Sequence, residues 1–447
     1  MDDRTEQLEH GNIGKLLFTF ALPAIIATTA TSCYNIIDRM FIGNGVGPIA
    51  LAGLGLTLPL MNLATAFGTL VGAGSGALVS IRIGEKRQAE ATQILCNALL
   101  LNIVISVLFS LITLVFLNPI LILFGADAET LPYARDFLQI ILLGNIFTHI
   151  LFGLNSIMRA SGYPVKAMLS ILITVVCNVI LAPIFIFVLH WGIRGAATAT
   201  VISQFIGMCW VLAHFIRKKS YIHFEKSGMH VDFKLVGEVF AIGLSPFFIH
   251  TCTSIVTIFM NWRLKDYGGN MAIATYGIVA AIQSLVVTMV LGMTHGMQPI
   301  VGFNYGAGHR DRVIKTYRLT VLCATVVCTL CFAAVELFPT AIADAFTDDA
   351  SVIEHTAVAL RLCCAMMFIV GFQVVTSNFF QAIDKAKISI FLALSRQIIF
   401  LLPFIWLLPL SFDLTGAWCA TPAADFCACA VTAFILWRFL KRTIAVR

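Results

Sequence analysis

Residues 217–234 read RKKSYIHFEKSGMHVDFK, the longest polar gap in a chain that is otherwise apolar almost from end to end. On either side of it, apolar runs broken by polar or Gly/Pro punctuation mark out helices rather than strands, because each run is far longer than a strand. Before the gap they cover 14–38, 49–80, 92–117, 131–157, 165–188 and 195–216. After it they cover 235–260, 271–303, 317–340, 355–380, 387–408 and 415–437. The gap therefore reads as a linker between two groups of six helices.

Composition says what surrounds those helices. Of 447 residues, 59% are apolar and 12% are charged, whereas a soluble domain carries about 45–50% and about 25%. Too little charge is present to cover a water-facing surface, so a soluble enzyme is excluded. A bilayer crossing takes about 20 apolar residues, and with its loop about 25–40, which sets a ceiling of around a dozen spans. The expected fold is an all-α integral membrane protein of 12 transmembrane helices in two pseudo-symmetric six-helix bundles. The N-terminal lobe is 1–216, the cytoplasmic linker 217–234 and the C-terminal lobe 235–447.

Charge supplies an orientation. With the N-terminus inside, 22 of the 29 lysines and arginines fall on inside segments, including Lys15, Arg82, Lys86, Arg87, Arg159, Lys166, Lys218, Lys219, Lys226, Arg310, Arg312 and Arg447. Six fall outside or at outer helix ends (Arg39, Arg135, Arg194, Arg263, Lys265, Arg361), and Arg396 lies within a span. Positive charge accumulates on the cytoplasmic side, so both termini and the linker are expected there, in a multi-pass protein of the cell (inner) membrane. The formal charge of +6 follows from that bias and does not point to nucleic acid. The first twelve residues are polar and acidic, unlike a cleaved signal peptide.

The two groups of helices resemble each other. Shifted by 222 residues, Ala50/Ala272, Gly55/Gly277, Leu63/Leu285, Gly74/Gly296, Val79/Val301 and Gly84/Gly306 coincide. Pro23 meets Pro246, Pro183 meets Pro403, Gly195-Ala196 meets Gly416-Ala417, and Asp38 falls opposite Asn261. Six is even, so both groups enter the membrane the same way up. The repeat is parallel, one of the two common designs of secondary transporters.

Charges inside spans cost at least about 2.5–3.5 kcal/mol near a helix centre, so they are the first functional candidates. Asp38 stands in YNIID at 34–38, with Tyr34 one turn earlier on the same face. Asn155, Asn178 and Thr200 on later helices are polar groups that can meet it. A carboxylate among amides and hydroxyls can bind a hard cation or exchange a proton, since desolvation disfavours its charged form. The plainer readings are an interfacial Asp near a loop, and, for Asn155, helix–helix glue. In the second group, Arg396 and Asp425 lie about 15 Å and about 18 Å from the inner ends of consecutive helices at ~1.5 Å per residue. That depth permits an intramembrane ion pair; the alternative is Asp425 as a second protonatable site. His295 reads as a proton relay or as a packed, hydrogen-bonded histidine. Pro23, Pro59, Pro183, Pro246, Pro299 and Pro403 permit kinks. The cysteines sit in apolar runs, and the CxxC of Cys328 and Cys331 lacks the second pair a zinc site needs. No P-loop, HExxH helix or nucleophile elbow is found, so the chain does not read as an enzyme.

Several stretches resemble the multidrug and toxin extrusion (MATE) transporters over essentially the whole chain: NIIDRMFIG at 35–43, GEKR at 84–87, RASG at 159–162, CNVILAP at 177–183 and GAATAT at 195–200. QPIVGFNYG at 298–306, the most specific, SRQ at 395–397 and GAW at 416–418 complete the set. The chain is similar to the bacterial branch that includes staphylococcal-type multidrug exporters. The resemblance implies two lobes around a central cavity, a monomer with no cofactor, and export of organic cations in exchange for H⁺ or Na⁺. It also implies that Asp38 is the coupling carboxylate, with Tyr34, Asn155, Asn178 and Thr200 around it. Where several relatives carry a second Asp four residues after the asparagine, this chain has Ala182, a departure that weakens a Na⁺ site and favours protons. A flippase for a lipid-linked precursor is the alternative; it calls for a basic cavity.

Overall fold

The computed structural model describes residues 3–217, 220–225, 228, 230–346 and 350–444. Lys218, Lys219, Lys226 and Arg447 of the charge pattern, with parts of the linker, lie outside the described residues.

Among the described residues every regular element is helical. The first half comprises α1 (Asp3–His10), α2 (Ile13–Gly45), α3 (Pro48–Gly84), α4 (Gln88–Val115), α5 (Leu117–Leu123), α6 (Leu131–Ala160), α7 (Pro164–Pro183) and α8 (Gly192–Ile216). In the second half α9 (Phe233–Gly269) and α10 (Met271–Gly306) run on with a break at Gly269, whose φ of 63° and ψ of −156° leave the helical region. Then come α11 (Arg310–Leu337), α12 (Pro339–Asp344), α13 (Ala350–Cys364) and α14 (Met367–Ala382). The last segment divides at Phe412 and Asp413, where Asp413 takes a φ of 49°, into α15 (386–411) and α16 (414–444).

Among the described residues ten helices are long and apolar enough to cross a bilayer, or eleven if α13 and α14, bent by 48°, count as one span. Residues Ala386–Lys441 count there as a single helix of 56 residues, about 84 Å at 1.5 Å per residue against about 30 Å of hydrocarbon. The break at Phe412 and Asp413 thus separates two membrane-length pieces.

Several boundaries depart from the sequence reading. α2 continues seven residues past the expected end at 38, to Gly45, so Asp38 is inside a helix and not beside a loop. α9 extends past 260 to Gly269. The run 355–380 is two helices, and the sequence carries no proline there to announce the bend. Beside the paired prolines Pro183 and Pro403 the helices widen into π turns, Ile184–Val188 after the first and Ser395–Leu401 before the second.

α4 shows why these segments pack as they do. Over residues 101–115 its buried positions are Asn102, Ser106, Ser110 and Thr113, while Val104, Leu108, Leu111, Ile112 and Val115 are exposed. Lipid is as apolar as leucine, so helices gain most by turning small and polar groups inward. Each half also opens with a side-chain cap. Asn12 Oδ1 accepts from the amides of Gly14 and Lys15, and Asp232 Oδ1 accepts from those of Lys234 and Leu235, satisfying donors that a helix start leaves open.

The halves meet along a seam of glycines with reciprocal contacts. A Cβ on Gly84 would fall 2.0 Å from the Phe303 carbonyl oxygen, and one on Gly306 would fall 2.2 Å from that of Ile81. Ile81 and Phe303 are themselves 222 residues apart, the spacing of the repeat. Gly74 lies against Val239 and Gly296 against Ala21 in the same manner. Arg82 of α3 crosses the seam to Glu238 of α9 at 2.7 Å, and also holds Glu85 at 2.9 Å and Glu90 at 3.1 Å. Farther along, Phe67 meets Phe247 and Asn62 Nδ2 reaches Ser254 Oγ at 3.4 Å. At the opposite end the first half has cores of its own, around Ile42, Leu54, Phe137 and Ile186, and around Leu121 and Leu138. The halves are thus joined at the end that carries Gly84 and Gly306.

Candidate functional site

Three of the first-half candidates come together. The Thr200 hydroxyl on α8 donates to the Ala196 carbonyl, 3.1 Å away, as mid-helix threonines do. Its one proton being used, Thr200 Oγ1 accepts from its other neighbours: Asn178 Nδ2 at 3.1 Å and the Tyr34 hydroxyl at 3.1 Å. Tyr34, Asn178 and Thr200 join α2, α7 and α8 in one polar knot. A cavity of about 30 Å³ beside it is lined by Thr31, Tyr34, Asn178, Thr200, Ser203 and Gln204, space for a water molecule.

Asp38 sits one turn from Tyr34 on α2 and is 7% exposed. Its Oδ1 is buried and has no hydrogen-bond partner. A buried polar atom left unsatisfied costs about 1–3 kcal/mol, more when charged. Ala182, on the same face of α7 one turn after Asn178, is fully buried in the apolar cluster of Ile42 and Ile186, so no second carboxylate oxygen is supplied there.

Asn155 is bonded elsewhere. Its Nδ2 donates to the Ala167 carbonyl and to Ser170 Oγ, both at 2.7 Å, and its Oδ1 accepts from Arg159 at 2.8 Å. It fastens α6 to the start of α7, and no direct bond links it to the Tyr34 knot.

In the second half, Arg396 Nε donates to Asp425 Oδ1 at 2.6 Å. The ion pair that their depths allowed is formed, with the Asp425 side chain 6% exposed and that of Arg396 21%. Arg396 stands in the π turn 395–401. His295 on α10 keeps a buried Nδ1 without a partner.

Two features were not foreseen from sequence. Arg263, placed among outer helix ends by the charge pattern, is 8% exposed and donates to the carbonyls of Trp406 (3.0 Å) and Ile405 (3.5 Å). Pro409 has no N–H to offer the Ile405 carbonyl four residues back, and the arginine takes that place while stacking on Trp406, 4.5 Å from the ring centroid. The signal was present in Pro409, but pairing it with a residue 142 positions away needs the fold. The Arg82–Glu238 bridge was equally hidden, although the GEKR turn next to Arg82 was conspicuous.

Fold and site together define a multi-pass helical membrane protein with repeated halves and an unpaired carboxylate in one of them. The MatE family model matches twice, at residues 23–184 and 246–407, so the chain belongs to that family of multidrug efflux transporters, whose members are transporters and not enzymes. It is 27% identical over 428 residues to the multidrug export protein MepA of Staphylococcus haemolyticus (strain JCSC1435), covering 96% of this chain and 94% of that one. To MepA of Staphylococcus aureus (strain NCTC 8325 / PS 47) it is 25% identical over 430 residues, covering 96% and 95%. In fold it is similar to a multidrug resistance MATE transporter of the MOP superfamily solved in an outward-facing conformation, with a TM-score of 0.93, 23% identity and 99% of each chain covered.

Proposed function

We propose that this protein exports organic cations by antiport with H⁺, Na⁺ being the other ion to test, through alternating access between two lobes of six spans. The lobes are 1–216 and 235–447, joined by the linker 217–234, with both termini and the linker on the cytoplasmic face of the cell membrane. The observation that carries this reading is Asp38: a buried carboxylate, one oxygen unpartnered, beside a knot of hydroxyl and amide groups. The single carboxylate, with Ala182 in place of a second, favours a proton over a metal cation held by several charges.

The glycine seam and the Arg82–Glu238 bridge close the end that the charge pattern puts inside, which corresponds to an outward-open state. A cation taken by Asp38 from outside shifts the equilibrium only by its different affinity for the two states. Binding favours the inward-open arrangement, substrate promotes the return, and the protein acts alone as a monomer.

The test is efflux of a fluorescent organic cation from proteoliposomes under separate H⁺ and Na⁺ gradients, for wild type and Asp38→Asn. Movement driven by one gradient and abolished in a folded Asp38→Asn protein is expected. Full gradient-driven transport by the mutant would remove Asp38 from the mechanism.

A further inference from the structure

A cavity of about 600 Å³ opens between the start of α2 and the turn from α6 into α7. That volume falls in the ~300–1,000 Å³ range of sites that hold small molecules. Asn12, Lys15 and Thr19 line it from α2, and Tyr163, Val165 and Lys166 from the turn and α7. Lys166 is held in place there. Its ammonium donates to His214 Nδ1 at 3.4 Å and lies 4.9 Å from the Tyr163 ring centroid, while its carbonyl accepts from Trp210 Nε1 at 3.3 Å. An ammonium can only donate, so His214 Nδ1 accepts, and the imidazole gives its Nε2 proton to Ser220 Oγ at 3.0 Å. The histidine is neutral in this arrangement, and the positive charge stays on Lys166 beside the cavity.

The flanks of the cavity indicate its occupant. Phe18 and Leu22 continue along α2, and Leu169 and Val176 along α7, all four exposed and apolar. Trp210 is exposed too, a residue type that collects at the boundary between membrane and water. Two lysines at that boundary, between helices with apolar outer faces, suit a molecule with an anionic phosphate head and hydrocarbon chains. The walls are also tied to different halves. Arg312 of α11 donates to the carbonyls of Leu8 at 3.2 Å and Gly11 at 2.8 Å, and Asn304 of α10 donates to that of Leu8 at 3.2 Å. Gln7 and Gly11, in the stretch so fastened to the second half, line the same cavity as Tyr163 and Lys166 of the first. Asn304 stands two residues before Gly306, so the cavity lies at the joined end of the seam.

We propose that this cavity binds the headgroup of an anionic phospholipid, with Lys15 and Lys166 holding the phosphate and the chains lying along the exposed faces of α2 and α7. A lipid that touches both walls binds best when they stand together, so it favours the arrangement in which this end is closed. Neither the cargo nor the coupling ion enters this binding, so its failure leaves the export reading standing, and failure of export leaves the lipid site standing.

The probes are phosphatidylglycerol and phosphatidylcholine with the same chains, offered in equal amounts to the full-length protein in detergent and counted on it by native mass spectrometry. Wild type should prefer phosphatidylglycerol by about thirtyfold, the size expected of two lysines at a membrane surface. The double variant Lys15→Gln, Lys166→Gln should bring the ratio close to one, whereas Lys15→Arg with Lys166→Arg should keep it. Lys15→Gln alone, at an exposed position that leaves the His214 contacts intact, should lower the preference about fivefold. A wild type without preference, or a preference unchanged in the folded glutamine variants, overturns the proposal. Glycerol 3-phosphate competing as well as the whole lipid would assign the cavity to a soluble phosphate and overturn the lipid assignment. In nanodiscs, replacing phosphatidylcholine by phosphatidylglycerol should shorten the mean distance between spin labels on α3 and α9 beside the Arg82–Glu238 bridge, in wild type and not in the double glutamine variant. Binding without that shift overturns the coupling of the lipid to closure.

Discussion

Asp38 and Asp425 are the same residue type, nearly equally hidden, at 7% and 6% exposure, in the two related halves. Their surroundings are opposite. Asp425 is bonded to Arg396 at 2.6 Å, whereas Asp38 keeps a buried oxygen with no partner. Burial and depth do not decide what a membrane carboxylate does; the counter-charge does. A paired carboxylate has its charge state held by its neighbour, while an unpaired one can gain or lose a cation as the protein changes shape. The halves have diverged so that one carries a buried carboxylate with an unbonded oxygen and the other carries an ion pair.

The largest effect that would test this contrast is on stability. Asp425→Asn should cost about 3–5 kcal/mol, because it leaves Arg396 buried without its counter-ion, read as a fall in the thermal unfolding midpoint in detergent. The double variant Arg396→Met, Asp425→Leu should recover most of that loss, since an apolar pair of similar volume replaces two desolvated charges. Asp38→Asn should behave in the opposite way. Its stability should be unchanged or raised by about 1 kcal/mol, as expected when an unsatisfied charge is removed, while gradient-driven efflux disappears. Equal destabilisation by Asp38→Asn and Asp425→Asn would break the comparison.

A second ion pair sharpens it. Arg82–Glu238 also joins opposite charges, but it crosses from one half to the other and is partly exposed, at 15% and 30%. A pair of that kind contributes little to overall stability, at most about 1 kcal/mol, yet it has to open whenever the seam opens. Glu238→Gln, which removes this bridge and leaves Arg82 its pairs with Glu85 and Glu90, should therefore leave the unfolding midpoint nearly unchanged and raise the population open at that end, measured as a lengthened distance between spin labels on α3 and α9. An unaltered distance distribution would reduce the bridge to a surface contact. At the knot beside Asp38 the effect on transport is expected to be smaller than at Asp38 itself. Thr200→Val removes the acceptor for Tyr34 and Asn178 and should cost about 1–2 kcal/mol of stability, with a several-fold loss of coupled transport and no change of coupling ion.

Much of this was readable along the chain. The apolar runs, the linker and the positive-charge bias are local or additive properties, and a span shows in a window of about 20 residues whatever it packs against. The repeat was legible because its glycines and prolines answer backbone demands that recur in both halves. Gly195 and Gly416 each face a backbone carbonyl that a side chain would strike, those of Phe185 and Leu408. The bend in the run 355–380 was not legible, since it falls at Ala365 and Met366, which carry no breaker signal. Nor was the place of Asn155, a residue as polar as Asn178 that is bonded to α7 and Arg159 instead.

By itself the sequence determined the class of the molecule: apolar helices in two related sets, a polar break between them and a handful of charges buried where charge is expensive. Those properties depend on residue type and on spacings of a few residues. Only the tertiary structure decided which charges are matched. Arg396 meets Asp425 across 29 positions and Arg82 meets Glu238 across 156, while Asp38 keeps a buried oxygen without a hydrogen-bond partner. Electrostatic partnership depends on distance in space, and helix packing sets that distance.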